Sequence, residues 1–415
     1  MTKNLPCYLL NIVNNLFLHA DGDSFFVACE ISQHPELKGL PVVVGEDRGI
    51  AVAMSYEAKK LGVTRGMPVF QIKRKFPEVV ILPHHFDLYR KISNDVYNIF
   101  LSYVELVEIY SIDECFMIIK PSDIKHAGSP EKLLDSIKNE IKDKIGVTYS
   151  FGLGRTKVLA KTASKLEKPN GMVLLLNEQS EDNALRKTSI DDIWGIGRKT
   201  IPRLYDMGIK TAYDFLHYSS DYIKKYFPEP LLNIQLELSG KSVLGFDSNH
   251  DPRDQKSIQS TSTFKPSSCD SKIIFAELSL NVEKACEHAR ELNLMSNSVS
   301  YFVKNSNFVI RTWDQRLSVY TTNPSIILNA IELDFYKLLL MGENIRSTGV
   351  TLRNLCRTEK VPRDLFGIQD KSESKNIIED ISDKIRAKFG DDSLKHASSL
   401  RGTSKQKGNS FPKPY

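Results

Sequence analysis

Residues 16–26 read LFLHADGDSFF, an apolar run that ends in two aspartates and leads into a stretch of helical character. The segment 16–20 predicts a β-strand, and residues 24–31 predict a helix directly after it. In α/β proteins, ligands commonly bind where strands end. Asp21 continues the apolar strand, so its carboxylate needs a partner if it is buried. Asp23 precedes the helix, where an aspartate is more often an N-cap than a metal ligand.

A second acidic motif stands at residues 111–114, which read Ser-Ile-Asp-Glu between strand-like runs at 105–111 and 115–119. A plain hairpin turn is the alternative explanation, because aspartate is common in turns. The motif nevertheless lacks the Gly or Asn that tight hairpins prefer. If the two acidic strand ends are neighbours in one sheet, three carboxylates converge, and they belong to Asp21, Asp113 and Glu114.

Convergent carboxylates have a chemical consequence, because like charges repel and the cluster would need cations. Hard oxygen ligands together with substrate phosphates suit Mg²⁺. Two such ions about 3.5–4 Å apart could stabilise both the attacking and the leaving oxygen of an in-line phosphoryl transfer. The sequence therefore predicts a site for two Mg²⁺ ions.

The helix predicted after the strand at 147–153 carries a stripe of lysines. Plotted at 100° per residue, four lysines fall within about 80°, and the opposite face is largely apolar. A solvated helix face is the ordinary explanation, but one glutamate offsets four like charges, and like charges destabilise a helix. We favour contact with phosphate groups for this stripe, which consists of Lys157, Lys161, Lys165 and Lys168.

Residues 190–200 read IDDIWGIGRKT, the pattern of a helix-hairpin-helix. Gly195 and Gly197 leave no side chain in the way, so backbone N–H groups could approach a DNA phosphate, with Lys199 beside them. Such contacts carry no base-sequence information. A plain helical hairpin without a DNA role is the alternative.

The region 257–356 predicts a second α/β unit in which charge is unevenly distributed. Its strand stretches at 298–320 and 345–358 hold six basic residues and one acidic residue, whereas the helix at 272–293 has a net negative charge. A basic sheet face backed by more acidic helices fits a DNA duplex lying on the sheet. The candidate DNA contacts are Lys304, Arg311, Arg316 and Arg353.

Composition identifies a globular, multi-domain chain. Its 415 residues are 41% apolar and 26% charged, and the net charge of +5 is too small to identify a partner by itself. No run approaches the roughly 18 apolar residues that span a bilayer, and asparagines interrupt the apolar start, so we expect neither a membrane segment nor a signal peptide. Six cysteines without a C-x-x-C pair argue against a zinc site and a disulfide framework, and they point to the reducing cytoplasm.

Taken together, these motifs resemble the Y-family translesion DNA polymerases, most closely the group of bacterial DNA polymerase IV and the polymerase V catalytic subunit. The matching motifs keep the family's order and spacing from about residue 16 to residue 356, and they stand at 19–26, 55–58, 111–114, 161–171 and 195–197. The resemblance implies an α/β (α+β) multi-domain fold, a right-hand polymerase with a ferredoxin-like palm, inserted fingers, a helical thumb and a separate α/β little finger. The implied boundaries are 1–32 and 86–175 for the palm, 33–85 for the fingers, 176–245 for the thumb, 246–256 for a linker, 257–356 for the little finger and 357–415 for a partly disordered tail.

The resemblance also implies roles for individual residues. Asp21 and Asp113 would bind both Mg²⁺ ions, and Glu114 would hold the ion that activates the primer 3′-OH. The Gly22 carbonyl would complete the coordination shell of one ion. Phe26 would be the steric gate, which excludes ribonucleotides by a clash with the ribose hydroxyl. The residues implied in deoxynucleoside triphosphate binding are Gly22, Asp23, Ser24, Phe25, Phe26, Tyr56, Lys59 and Lys168.

The chain departs from the family pattern at several points. Ala53 stands where Ser or Thr is usual, and Lys59 stands where Arg is usual. A lysine at position 59 keeps the positive charge but lacks the guanidinium group that makes two parallel hydrogen bonds. Residues 1–15 extend beyond the usual start. A clamp-binding peptide in the tail is reduced to Leu365 and Phe366, after Pro362 and Arg363, so sliding-clamp docking has weak support.

Two other functions stay open at this point. The first is a non-catalytic DNA-binding accessory protein that keeps the polymerase fold, and the second is a nucleotidyl cyclase with a related palm. The retained carboxylates argue against the first, and the hairpin and the basic sheet have no use in the second. We expect a monomeric enzyme that binds primer-template DNA and does not bind membranes.

Overall fold

The structure, a computed structural model, describes residues 15–46, 49–248, 252–362, 368–390 and 393–400. These residues form two compact units, one that ends at residue 248 and one that begins at residue 252. The predicted clamp peptide around Leu365 and Phe366 lies outside the described residues, as do the N-terminal extension up to residue 14 and the tail 401–415.

The first unit contains a five-stranded sheet of order β5-β6-β1-β7-β8 and a three-stranded sheet of order β3-β2-β4. Its strands are β1 Leu16–Gly22, β2 Val42–Val44, β3 Ala53–Met54, β4 Val80–Leu82, β5 Leu106–Ile109, β6 Glu114–Ile119, β7 Tyr149–Gly154 and β8 Met172–Leu174. Its helices are α1 Phe25–Gln33, α2 Tyr56–Lys60, α3 Val69–Lys75, α4 Phe86–Tyr103, α5 Pro121–Ala127, α6 Pro130–Ile145, α7 Lys157–Leu166, α8 Glu178–Lys187, α9 Ile201–Asp206, α10 Ala212–Leu216, α11 Ser220–Tyr226 and α12 Glu229–Leu238.

Strand β1 is central in the five-stranded sheet and buried along its whole length. Leu16, Leu18 and Ala20 belong to the core that also contains the buried faces of α4 and α6. The alternate side chains point to the other face of the sheet, because successive residues of a strand alternate. On that face, the Nδ1 atom of His19 lies 2.7 Å from the Ser164 hydroxyl of α7. Helix α7 therefore covers the face to which Asp21 also points.

A glycine permits the close packing of α7 on the sheet. A Cβ atom on Gly152 of β7 would lie 2.1 Å from the Ala160 carbonyl oxygen and 2.3 Å from the Ser164 amide nitrogen. The helix begins at Thr156, whose side chain accepts a hydrogen bond from the Leu159 amide. The helical region at 176–245 shares a second apolar core with α7, so the helix connects the sheet to that region.

The second unit is a four-stranded antiparallel sheet of order β11-β10-β12-β9 with helices packed against it. Its elements are β9 Ser257–Ser268, α13 Ser271–Glu291, β10 Leu294–Asn305, β11 Ile310–Thr321, α14 Pro324–Lys337, β12 Ile345–Arg357 and α15 Ile368–Phe389. The α/β character predicted for 257–356 is confirmed, and the elements follow the order strand, helix, strand, strand, helix, strand. The mixed α/β multi-domain class is confirmed as well.

Some sequence predictions differ from the structure. The apolar run at 50–54 predicts a strand, but the structure has only the two residues of β3 there, and Ile50 makes an isolated bridge to Pro68. The 18-residue helix α4 was not predicted, although its apolar residues recur with helical spacing. Among the described residues, no helix is long and apolar enough to cross a membrane.

Candidate active site

The two acidic motifs meet because β1 and β6 are neighbouring antiparallel strands. Asp21 is paired directly with Glu114 in the strand register. The Gly22 amide donates a 2.9 Å hydrogen bond to the Asp113 carbonyl, which extends the pairing into the turn. A Cβ atom on Gly22 would lie 3.0 Å from the Phe25 ring and 3.4 Å from the Asp113 Cβ. The predicted adjacency of the two strand ends is confirmed.

The motif 111–114 is a hairpin turn between β5 and β6 and also carries two of the carboxylates. The Ser111 hydroxyl oxygen accepts hydrogen bonds from the amides of Asp113 and Glu114, at 3.3 Å and 3.1 Å. The same hydroxyl donates to the Asp113 carboxylate at 2.7 Å. One serine therefore replaces the Gly or Asn of a tight hairpin and orients the Asp113 side chain.

One lysine from the middle of α7 and one from the loop after it pair with the carboxylates. Lys168 forms an ion pair with Asp21, and the Lys161 ammonium lies 2.7 Å from the Glu114 carboxylate. Burial raises the pKa of Asp113 above its ordinary value, and the nearby charge of Asp21 adds to this rise. Burial also raises the pKa of Glu114, whereas Lys161 opposes that rise.

The structure does not support the phosphate-contact interpretation for two members of the lysine stripe. The side chain of Lys161 is only 7% exposed and its charge is neutralised by Glu114. Lys157 is 3% exposed and pairs with Glu108. Lys157 and Lys161 lie against acidic groups of the same chain, Lys165 is exposed, and Lys168 follows the end of α7, so the helical wheel does not apply to it.

The donor chemistry fits a hard divalent cation. Three carboxylates stand at neighbouring strand ends, and the raised pKa values of Asp113 and Glu114 reflect burial together with mutual repulsion. In the described part of the chain, however, no group of three His, Cys, Asp or Glu side chains is already arranged to hold a metal ion. The Lys168 ammonium binds Asp21, so a cation held by Asp21 would replace that contact, whereas Lys161 binds only one of the two Glu114 carboxylate oxygens.

A cavity of about 760 Å³ opens beside the carboxylates. Asp113 and Glu114 line it, and so do Val63, Thr64 and Arg65, which the sequence interpretation did not identify. The sequence feature that could have identified Arg65 is its position as a basic residue in the short loop after α2. The predicted nucleotide-binding residues that line the cavity are Gly22, Ser24, Phe25, Phe26, Tyr56, Lys59 and Lys168.

Asp23 has a different place from the ones predicted. It is neither an N-cap nor a cavity-lining residue, because the cap position of α1 is Ser24. Its buried carboxylate accepts hydrogen bonds of 2.7 Å from the Ser150 hydroxyl and of 2.7 Å from the Asn170 amide. Asp23 thus anchors the loop that follows α7 and helps to position Lys168.

Phe26 is held by two aromatic rings from α4. Its ring stacks on Tyr89 with 4.4 Å between centroids and 13° between planes, and it meets Phe86 edge-on at 5.8 Å. Tyr89 also donates a hydrogen bond from its hydroxyl to the buried carboxylate of Glu30. The Phe26 ring is therefore fixed at the cavity wall.

Tyr56 and Lys59 lie on α2 and line the cavity. The Lys59 ammonium is 4.3 Å from the centroid of the Tyr56 ring and 3.4 Å from the Ser24 hydroxyl. Burial lowers the pKa of Lys59, and the charge of Lys168 lowers it further. Two cations thus face the same cavity, where an anionic ligand would relieve their repulsion.

The glycines of the hairpin at 193–200 differ in what they require. Gly195 has a φ angle of +91°, and a Cβ atom on it would lie 2.6 Å from the Ile234 side chain. Gly197 has open space around it, so packing does not require a glycine there. Lys199 is exposed beside it. Gly195 therefore serves the fold of the hairpin, whereas Gly197 is compatible with close approach of a ligand.

In the second unit, the strand register places three of the predicted DNA contacts on the uncovered face of the sheet. Arg316 and Arg353 both pair with Ser298, and Lys304 lies six residues along the same strand as Ser298, on the same face. Arg311 lies five residues before Arg316 on β11, so its side chain points to the other face of the sheet. Its guanidinium forms an ion pair with Glu343 and donates a 2.7 Å hydrogen bond to the Leu338 carbonyl. The prediction that Arg311 contacts DNA is therefore not supported.

Comparison with known proteins gives a consistent result. The model of the impB/mucB/samB family matches residues 20–165, and the model of that family's C-terminal domain matches residues 255–365. A protein of Desulfatibacillum aliphaticivorans named DNA polymerase IV is 29% identical over 403 residues, which cover 95% of this chain and 99% of the relative. A DNA polymerase IV of Streptococcus pyogenes serotype M1 is 30% identical over 353 residues, 84% of this chain and 96% of the relative.

The fold has counterparts among solved structures. A Y-family DNA polymerase chimera built on Dbh superimposes with a TM-score of 0.69 at 24% sequence identity. The match covers 82% of this chain and 98% of the chimera. At this level of identity, the match concerns the fold.

Proposed function

As a member of the impB/mucB/samB family within the Y-family DNA polymerases, the chain is a DNA-directed DNA polymerase of the translesion type, and we propose how its residues carry out the reaction. In the proposed reaction, the primer 3′-OH attacks the α-phosphorus of a deoxynucleoside triphosphate. A new O–P bond forms, the bond between the α-phosphorus and the bridging oxygen breaks, and pyrophosphate leaves. The observation that carries this proposal is the placement of Asp21 opposite Glu114, with Asp113 in the adjoining turn of a 760 Å³ cavity.

Y-family polymerases depend on divalent metal ions, and we propose two Mg²⁺ ions held by Asp21, Asp113, Glu114 and the Gly22 carbonyl. When bound, they would neutralise the charge that develops on the phosphates and lower the pKa of the 3′-OH. The chain's own part is to hold these oxygen ligands in place through the β1–β6 pairing and the Ser111 turn. Most of the catalytic effect would come from positioning and charge.

The cations around the cavity would bind the triphosphate. Lys59 and Lys168 both line the cavity, and Tyr56 lies under the Lys59 ammonium. Arg65 lines the same cavity and is a further candidate. Phe26, fixed by Tyr89 and Phe86, would occupy the space that a ribose 2′-hydroxyl needs. Sugar selection would then follow from a steric clash rather than from a hydrogen bond.

DNA contacts would come from both units. We propose that the hairpin with Gly197 and Lys199 holds a backbone phosphate, and that Lys304, Arg316 and Arg353 form a basic surface for the duplex. In this proposal, residues 1–32 and 86–175 are the palm, 33–85 the fingers, 176–245 the thumb and 257–356 the little finger. We further propose low fidelity, which the resemblance to the translesion DNA polymerases implies.

The direct test is primer extension by the full-length protein on a primed template. We expect addition of deoxynucleotides that depends on the template and on Mg²⁺, and that continues across an abasic site in the template. Omission of the divalent ion serves as the control. A protein that binds primed DNA but extends no primer with Mg²⁺ or Mn²⁺ would instead be the non-catalytic accessory protein.

A further inference from the structure

Lys161 is enclosed by three aromatic rings on the face of the sheet that carries the carboxylates. Its ammonium lies 4.4 Å from the centroid of Tyr110, 5.4 Å from that of Trp194 and 6.0 Å from that of Phe116. The side chain is 7% exposed. A cation over aromatic faces is attracted by the negative charge of the ring surfaces, and more strongly where water is excluded. We call these three rings and Lys161 the lysine cage.

The rings of the lysine cage also fix one another. Trp194 contacts Tyr110 edge-on at 5.4 Å and 85°, and its indole N–H donates a 3.0 Å hydrogen bond to the Tyr110 hydroxyl. Trp194 and Phe116 lie 5.4 Å apart. The cage therefore has a fixed shape, and the Lys161 ammonium is directed at the Glu114 carboxylate, 2.7 Å away.

The rings come from two parts of the chain. Tyr110 and Phe116 flank the turn that carries Asp113 and Glu114, whereas Trp194 directly precedes Gly195 in the hairpin. The neighbours of Trp194 in sequence, Ile193 and Ile196, are buried in the core of the helical region. The position of the Trp194 ring is therefore tied to the fold of the hairpin.

We propose that Lys161 is a positioning residue that orients the Glu114 carboxylate, and that Trp194 makes this orientation depend on the hairpin. The inference rests on the proposed role of Glu114 and extends it. The aromatic rings hold the ammonium, and the ammonium holds one carboxylate oxygen. A small displacement of a reacting or ligating group costs up to about 100-fold in rate. A substitution in the cage should accordingly lower kcat rather than weaken DNA binding.

The test compares substitutions in the full-length protein. Lys161→Met should lower kcat at least about tenfold, with the Kd for primed DNA changed less than about twofold, and Lys161→Arg should restore part of the loss. Trp194→Leu should lower kcat about threefold, and Trp194→Phe should have a smaller effect because a ring remains. Lys142→Met, which removes an exposed charge on α6, is the matched control.

A spectroscopic readout accompanies the kinetics. The chain has two tryptophans, so Trp313→Phe leaves Trp194 as the sole one. In that background, Lys161→Met and Glu114→Gln should each change the Trp194 emission, whereas Lys142→Met should not. If Lys161→Met does not fold, Trp194→Leu carries the test, and a normal kcat for it overturns the proposal.

The outcomes separate the inference from the proposed function. A normal kcat for folded Lys161→Met, together with loss of extension in Glu114→Gln, overturns only the role of the cage. A weakened Kd for DNA with normal kcat would return Lys161 to the phosphate-contact role and also overturn the proposal. Normal extension by Glu114→Gln would instead remove the proposed role of Glu114.

Discussion

Replacing Asp113 or Glu114 by alanine should lower the rate of primer extension by about 1000-fold or more. Each change removes a carboxylate from the edge of the cavity where the two acidic strand ends meet. Single groups that stabilise charge in a transition state are commonly worth 100- to 1000-fold, and a residue that also holds a metal ion should be at the upper end. Single-nucleotide insertion under single-turnover conditions measures the effect.

The loss of primer extension should come from the missing carboxylate and not from unfolding of the protein. The direction of the pKa shift of Asp113 gives a way to show this. Burial raises the pKa of Asp113, so the ionised form destabilises the folded protein at any pH above that pKa. Asp113→Asn should therefore unfold at an equal or higher temperature than the wild type at pH 8. This gain should shrink as the pH falls below the folded-state pKa and should vanish below the ordinary pKa of an aspartate, because the carboxyl is then neutral in both the folded and the unfolded chain.

A matched substitution completes the comparison. Asp135→Ala removes an exposed carboxylate from α6 and should leave extension unchanged. Near-normal extension by Asp113→Ala or by Glu114→Ala would remove that residue from the catalytic site.

Replacing Phe26 by alanine should raise the incorporation of ribonucleotides relative to deoxynucleotides by about 10- to 100-fold. The ring is fixed by the stack on Tyr89 and the edge contact with Phe86, so it does not turn away from a ribose hydroxyl at low cost. A pocket with room for an extra hydroxyl distinguishes ribonucleotides from deoxynucleotides only weakly. A rigid ring that fills the space of the 2′-hydroxyl excludes the ribonucleotide. The ratio of kcat/KM values for the two sugars is the measurement.

Two comparisons keep this prediction specific. Phe70→Ala removes an exposed ring from α3 and should leave the sugar ratio unchanged. Deoxynucleotide insertion by Phe26→Ala should fall much less than ribonucleotide insertion rises. An unchanged sugar ratio in Phe26→Ala would remove Phe26 from the gate role.

The sequence was most informative where a chemical requirement is local. Acidic residues at the end of apolar runs identified Asp21, Asp113 and Glu114, and the order of strands and helices identified the second unit. The register between β1 and β6 could only be assumed, since pairing between distant strands leaves no sign in either strand alone. The structure shows that pairing.

The partners of charged side chains were the main failure. Lys161 and Arg311 both looked like exposed cations, but each pairs with an acidic residue far away in sequence, Glu114 and Glu343. Helical and strand periodicity tells which residues share a face, and it does not tell what covers that face. The same limit hid the role of Asp23, whose partners Ser150 and Asn170 come from a different strand and loop.

The central claim is that Asp21, Asp113 and Glu114 together hold divalent cations, and Mn²⁺ binding measures this without turnover. The titration uses the full-length protein with primed DNA and a non-hydrolysable deoxynucleotide, and compares the wild type with Asp21→Asn and Asp113→Asn. We predict about two bound ions per molecule in the wild type and at least a tenfold weaker affinity in each variant. Equal Mn²⁺ affinity in the wild type and in both variants would contradict the claim.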